Sequence, residues 1–117
     1  MKLIIKGEMT GLNEYVSAER SSRYAAAEIK QTETHRVKIA CKEQKLEPTL
    51  TKHDYTFTWY VPNLKKDPDN ISFAVKFIFD GLKEAGVIPN DGMKHVGNIS
   101  HIFIHDPYKQ QCVVDIL

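Results

Sequence analysis

The sequence predicts a single small α/β (α+β) domain, sandwich-like, with a mixed β-sheet and two main helices in the order β-α-β-α-β-β. Three observations predict it. An Ala-rich stretch free of Pro and internal Gly occupies the first third of the chain. A β-branched and aromatic run follows near its middle. A second helical pattern then separates that run from two further strand-like segments.

The elements follow in order. Leu3-Ile4-Ile5, flanked by Lys2 and Lys6, reads as a first strand ending near Gly7. Thr10-Gly11-Leu12-Asn13 is a break that offers a cap. Across residues 12–41, Tyr15, Ala18, Ser22, Ala25, Ala26 and Ile29 recur at helical spacing, which predicts one long helix. Val37, Ala40 and Cys41 either continue it or start a second. Glu47-Pro48 ends it, because the residue before Pro avoids the helical region.

Tyr55-Thr56-Phe57-Thr58-Trp59-Tyr60-Val61 predicts a strand bounded by Pro62. Ile71, Ala74, Val75, Ile78, Leu82 and Ala85 then repeat at three- and four-residue steps, an amphipathic helix. Asp69 or Asn70 caps its start and Gly86 suits its exit. Residues 87–92 form a loop with turn chemistry. Strands are expected over residues 99–104 and Gln111–Ile116, joined through Asp106-Pro107-Tyr108.

Bulk properties narrow the classes. The chain has 117 residues, one domain's worth, with 42% hydrophobic and 26% charged residues. No apolar run approaches the roughly 20 residues of a membrane span. The first residues are too charged for a signal peptide. Cys41 and Cys112 form no metal-type pair, so free thiols and a cytoplasmic location are expected. Net charge is +1, but it is unevenly spread. Residues 20–52 carry eight Lys/Arg against four Glu, and residues 67–117 carry four Lys against seven Asp/Glu. A basic half beside an acidic half fits a DNA-tracking surface flanking a metal site; a solvated mixed-charge face fits it too.

The chemistry concentrates in Lys65-Lys66-Asp67-Pro68-Asp69-Asn70 and, downstream, Asn90-Asp91-Gly92. Pro68 biases Asp67 towards an extended backbone, where residues two apart point the same way. Asp67 and Asp69 are therefore expected to converge on one ion. A hard cation such as Mg²⁺ takes oxygen ligands and suits carboxylates beside a phosphate. An 18-residue helix is about 27 Å long, so Asp91 reaches the same ion only if the 87–95 loop folds back along the helix. Taken singly, Asp-Pro-Asp-Asn and Asn-Asp-Gly are also ordinary cap and turn sequences.

Order and spacing together resemble the RusA family of Holliday-junction resolvases, particularly its phage and prophage branch. The family pattern is a basic residue, Asp-x-Asp-Asn, an apolar helix ending in Asp-x-Leu-x-x-Ala-Gly-Val/Ile, and a downstream acidic turn. Here it reads Lys66-Asp67-Pro68-Asp69-Asn70, then Asp80-Gly81-Leu82-Lys83-Glu84-Ala85-Gly86-Val87-Ile88, then Asn90-Asp91. The match covers about residues 59–96, and Leu12-Asn13-Glu14-Tyr15 with Ala18-Glu19-Arg20 also looks like that branch.

The resemblance implies a Mg²⁺-dependent endonuclease acting as a homodimer in DNA recombination and repair. Such an enzyme resolves four-way junctions by paired symmetric nicks, with no organic cofactor and no membrane partner. It implies Asp67, Asp69 and Asp91 as metal-site carboxylates, with Asn70 in support. The best-known family members carry a catalytic Lys four residues after the second Asp, where this chain has Phe73. Lys76, one helical turn on, is expected to face nearly the same way and take the role, with Lys65 and Lys66 as alternatives. Lys65, Lys66, Arg20, Arg23 and Lys94 are the candidate DNA contacts. The Leu3-Ile4-Ile5 strand or the first helix is the expected dimer contact.

Other constellations carry less. His35, His53, His95, His101 and His105 lack a Glu or Cys that completes a zinc set. Trp59 and Tyr60 precede the acidic motif, and core packing is the default reading for them. Two rival functions remain at this level: a non-catalytic module that binds branched DNA, and a nuclease preferring forks or flaps. A third, a structural domain whose aspartates are only caps, predicts no response to Mg²⁺.

Overall fold

A computed structural model describes residues 1–117. Its elements are β1 (Lys2–Lys6), α1 (Leu12–Ser21), α2 (Arg23–Glu43), β2 (His53–Val61), α3 (Pro68–Ser72), α4 (Val75–Glu84), β3 (Val96–His105) and β4 (Gln111–Ile116). The sheet is mixed, in the order β1-β4-β2-β3. β4 runs antiparallel to both β1 and β2, and β3 runs parallel to β2. The architecture is α+β, as the strand and helix patterns predict, with each expected helix divided in two.

Period-two alternation sets the core. Leu3, Ile5, Tyr55, Phe57, Trp59, Cys112, Val114 and Ile116 point to one face and are buried. Val37 and Cys41 of α2 and Phe77, Ile78, Phe79 and Leu82 of α4 join them in one cluster. Phe79 meets Tyr55 and Phe57 edge-on, with ring centroids 5.1 and 5.8 Å apart. Trp59 is a core residue, as its strand position predicts.

The two helix breaks have local causes. Ser22 is extended, and its Oγ accepts the Tyr24 amide at 3.1 Å, so it caps α2 rather than continuing α1. At Phe73–Ala74 the regular helix is interrupted between α3 and α4. Phe73 there packs against Tyr15 and Phe77 at 5.4 and 5.7 Å, and Ala74 is fully buried. Gly86, at φ +77°, ends α4, with the Val87 amide reaching back to the Leu82 carbonyl at 2.9 Å. α2 stops at Glu43, ahead of Pro48, because Lys45 takes the same left-handed conformation at φ +56°. The Leu46 amide then bonds the Cys41 carbonyl at 3.1 Å.

The two sheet edges differ. On β1 the Gln44 amide group accepts from the Ile4 N–H at 2.8 Å and donates to the Ile4 carbonyl at 2.7 Å. Arg36 donates to the Lys6 and Glu8 carbonyls. That edge is therefore closed by side chains, and Leu3 and Ile5 are core residues. No comparable side chain closes β3. From Asn98 to His105 every residue of β3 is exposed, including Ile99, Ile102, Phe103 and Ile104. Cys41 and Cys112 are buried free thiols; burial pushes Cys41 up to about 11. No helix is long and apolar enough to cross a membrane.

Candidate active site

α3 and α4 form the crossover between parallel strands β2 and β3. A crossover of this kind leaves one end of the sheet and returns to the other. Asp67 and Asp69 therefore follow the C-terminal end of β2, and Asp91 precedes the N-terminal end of β3. The nine residues of β2, at about 3.3 Å each, set those ends about 30 Å apart.

The 87–95 loop does not fold back along the helix. The Thr49 amide bonds the Val87 carbonyl at 2.8 Å and the His53 amide bonds the His95 carbonyl at 3.1 Å. Both contacts fasten the loop near the start of β2. Accordingly, no three acidic, His or Cys side chains of one chain converge on a point. The convergence of Asp67, Asp69 and Asp91 expected from the motif does not occur within a single chain, because parallel strand pairing holds them apart.

Asp67 is extended and precedes α3, with Pro68 in the first helical turn. Only Asp67 is thus extended; Asp69 already lies in the helix. Asp67, rather than Asp69 or Asn70, occupies the cap position, yet its side chain makes no cap hydrogen bond. Neither Asp67 nor Asp69 takes part in an ion pair. Both are exposed. They are uncommitted hard oxygen donors, a set that suits Mg²⁺ with water completing its shell.

Their neighbours are committed. Asn70 is buried, and its Oδ1 accepts the Asn13 amide at 2.9 Å, so its side chain fastens α3 to the first turn of α1. The Lys66 ammonium lies 2.6 Å from Glu8 and 2.7 Å from Glu14. Partial burial pulls Lys66 down, but hydrogen bonds to Glu14 and Glu8 outweigh it and leave its pKa raised. The bond to Lys66 holds the Glu14 carboxyl below its ordinary value. Lys65 is exposed, with only its backbone amide engaged, by Asn63 Oδ1 at 3.0 Å.

Phe73 and Lys76 lie in different surroundings. Phe73 belongs to the aromatic cluster with Tyr15 and Phe77, whereas the Lys76 ammonium lies 3.7 Å from Asp80 in a largely exposed position. Both turn residues keep right-handed helical angles, and the Lys76 amide bonds the Phe73 carbonyl at 3.2 Å, so the two side chains differ in their partners rather than in helical phase.

A second cluster surrounds Asp91. Lys83 reaches Asp91 at 3.2 Å and Asp80 at 3.4 Å. Burial pulls its pKa down, and bonds to Asp91 and Asp80 more than restore it. Lys76, Asp80, Lys83 and Asp91 thus form a chain of alternating charge along α4 and into the loop that follows it. Lys94 is exposed in the turn after Asp91. Arg20 is exposed in the last turn of α1, and Arg23 lies over the Tyr24 ring at 5.3 Å.

Sequence reasoning missed Lys83, Glu8 and Glu14. The i,i+3 spacing of Asp80 and Lys83 was a readable signal for the first. Nothing local announces Glu14 as a partner of Lys66, 52 residues away. The histidines have protein partners where they are engaged. His53 bonds the Leu117 carbonyl at 2.7 Å, and His101 Nδ1 accepts from Trp59 Nε1 at 2.9 Å.

A scan against models of known protein families and a search of curated proteins both find no match for this chain.

Proposed function

We propose that this protein is a Mg²⁺-dependent, structure-selective DNA endonuclease of the cytoplasm that resolves four-way junctions as a homodimer. The observation that carries the proposal is the pair of uncommitted, exposed carboxylates, Asp67 and Asp69, at one end of a sheet whose β3 edge is open and apolar. The sequence resemblance supplies the substrate class, and the fold supplies a reason for two copies.

β1 is closed by Gln44 and Arg36, so the Leu3-Ile4-Ile5 strand is not the dimer edge in this reading. A second copy meets β3, where exposed apolar side chains flank unpaired backbone groups. A two-fold axis perpendicular to β3 makes the two edge strands antiparallel. The Asp91 end of one chain then lies beside the Asp67 and Asp69 end of the other, and each pair of chains assembles two carboxylate sites. Two equivalent sites match two symmetric nicks. When bound there, Mg²⁺ supplies an activated water and polarises the scissile phosphate. The chain's own part is to hold Asp67 and Asp69 free of other partners and to set Lys83 against Asp91. Lys65, Lys76 and Lys94, all exposed, offset phosphate charge in this reading.

The test is incubation of the purified protein with a labelled four-way junction and a matching linear duplex, in Mg²⁺ and in EDTA, beside Asp69→Asn. Paired Mg²⁺-dependent nicks in the junction alone, lost in the variant, support the proposal. Tight binding without nicks in any divalent metal replaces it with a binding module, and cutting of forks or flaps alone changes the substrate.

A further inference from the structure

A groove of about 890 Å³ runs between α2 and α4, on the flank that carries Asp80 and Lys83. Its α2 wall presents Lys30, Gln31, Thr34, His35 and Lys38; its α4 wall presents Asp80, Lys83 and Glu84. Helical spacing explains the first set, since residues three, four, seven and eight apart share a face. Close helix packing sets the floor between the two walls. Gly81 lets α4 approach α2 so tightly that an added Cβ would meet Val37 and the Thr34 carbonyl.

Two features mark the groove as a place for an anionic ligand rich in acceptors. Lys30 and Lys38 make no ion pair, although both stand over it. Thr34 is 6% exposed, yet its hydroxyl is buried without any hydrogen-bond partner. A buried unpaired hydroxyl is costly, and nothing else in the chain relieves it. The acidic side chains of the wall do not cancel this character equally. Asp80 is flanked by Lys76 and Lys83 although its buried Oδ2 accepts no hydrogen bond, and Glu84 makes no ion pair. The groove leads to Lys83, which touches Asp91.

We infer that this groove holds the sugar–phosphate backbone of a DNA strand next to the cleavage site, with Lys30 and Lys38 contacting phosphates and the Thr34 hydroxyl, buried in the free protein, rotating toward the strand on binding to donate to a phosphate oxygen. This deepens the nuclease reading and rests on it. The groove brings the strand to Asp91 from the α2 side, and two of the eight basic residues of 20–52 line it. Lys83, at its head, exchanges the carboxylates of Asp80 and Asp91 for the arriving phosphate.

The experiment is fluorescence anisotropy with a labelled four-way junction across a salt series in Ca²⁺. The wild type is compared with Lys30→Gln/Lys38→Gln, with Thr34→Val, and with Lys42→Gln/Lys52→Gln. The last pair makes an equal charge change at exposed lysines outside the groove. Each lost phosphate contact lowers the slope of log affinity against log salt by about 0.9. The groove pair is expected to lower it by about 1.8 and the outside pair to leave it nearly unchanged. Thr34→Val, which relieves a buried hydroxyl, is expected to fold at least as stably as wild type and yet bind about tenfold more weakly. Equal slope changes in both lysine pairs, or none in either, overturn the groove and leave the nuclease reading standing. So does full-strength binding by Thr34→Val. A wild type that binds no DNA removes the nuclease reading and the groove with it.

Discussion

The side-chain oxygen of Asn70 accepts the backbone amide of Asn13 at 2.9 Å, joining two helix starts that lie 57 residues apart in sequence. The residue that follows the two free aspartates is thereby a structural tie. It fixes α3 relative to α1 and so fixes where Asp67 and Asp69 point. Gly11 completes the fit, because a Cβ there would lie 2.6 Å from Asn70 Oδ1. Asn70→Ala should lose about 1–3 kcal/mol, since it leaves a partly buried amide unpaired. Asn70→Asp, which keeps an acceptor at the same place, should lose less. Urea unfolding of both variants checks this; equal stability of the alanine variant and wild type would refute the tie.

Gly81 permits the closest approach of α2 and α4. Gly81→Ala drives its new methyl group into Val37 and should destabilise by about 1–3 kcal/mol through overpacking, despite alanine's better helix propensity. Pairing it with Val37→Ala makes room, and the double variant should then be more stable than the sum of the two single losses predicts. Thermal melts of the four proteins form the cycle. Additive losses would mean that the two residues do not meet.

The clamp of Lys66 by Glu8 and Glu14 predicts a pH window. Glu14 is held below its ordinary 4.5, so its contribution is complete above that value and is lost as pH falls through the lower folded value. Lys66 is raised above 10.5, so its contribution is complete below that value and is lost as pH rises through the higher folded value. The stability difference between wild type and Lys66→Gln should therefore be flat between the two and shrink outside them. Both glutamates stay exposed to solvent and Lys66 is only partly buried, so the plateau should stay below about 1 kcal/mol. Urea titrations across that range measure it. A difference that grows in acid would contradict the assignment.

Much of the architecture was legible in the sequence for simple reasons. Alternation at Tyr55, Phe57 and Trp59 and at Cys112, Val114 and Ile116 marks strands with one buried face, and Gly86 marks a helix exit. The breaks at Ser22 and Phe73–Ala74 were not legible, because apolar periodicity runs through both and only packing against Tyr15 and Phe77 reveals the second. The candidate site was half legible. The Asp67, Asp69 and Asp91 motif is plain in sequence, and helix length already sets Asp91 apart, but that the 87–95 loop does not fold back follows from parallel pairing of β2 with β3, a long-range choice that local patterns do not encode. The commitments of Lys66 and Asn70 were hidden for the same reason.

For the proposed homodimer, the unlike edges of the sheet predict where the second copy docks. Ile102→Lys and Ile104→Lys place charge on the open strand, a known device against edge pairing. Neither residue is buried in the isolated chain, so both variants should keep the fold. Sedimentation velocity should show them as monomers and wild type as a dimer. Disruption of the dimer instead by Gln44→Ala, with the β3 variants intact, would move the interface to β1.

The opposed placement of Asp67 and Asp91 gives a test of how the site is assembled. Suppose each site takes Asp67 and Asp69 from one chain and Asp91 from the other. A mixed dimer of Asp67→Asn and Asp91→Asn chains then has one site with both substitutions and one site with neither. Mixing two inactive variants, with exchange of subunits, should therefore restore cleavage of one junction strand per mixed dimer. If each site is built within one chain, both sites of the mixed dimer lack a carboxylate and no activity returns. The readout is strand-specific nicking of a four-way junction labelled on each strand, with either homodimer alone as the baseline. Single nicks that rise with the mixed fraction support a shared site. Absence of nicking after proven subunit exchange assigns all three carboxylates to one chain, which the 30 Å span of β2, about 3.3 Å per residue, makes hard to build.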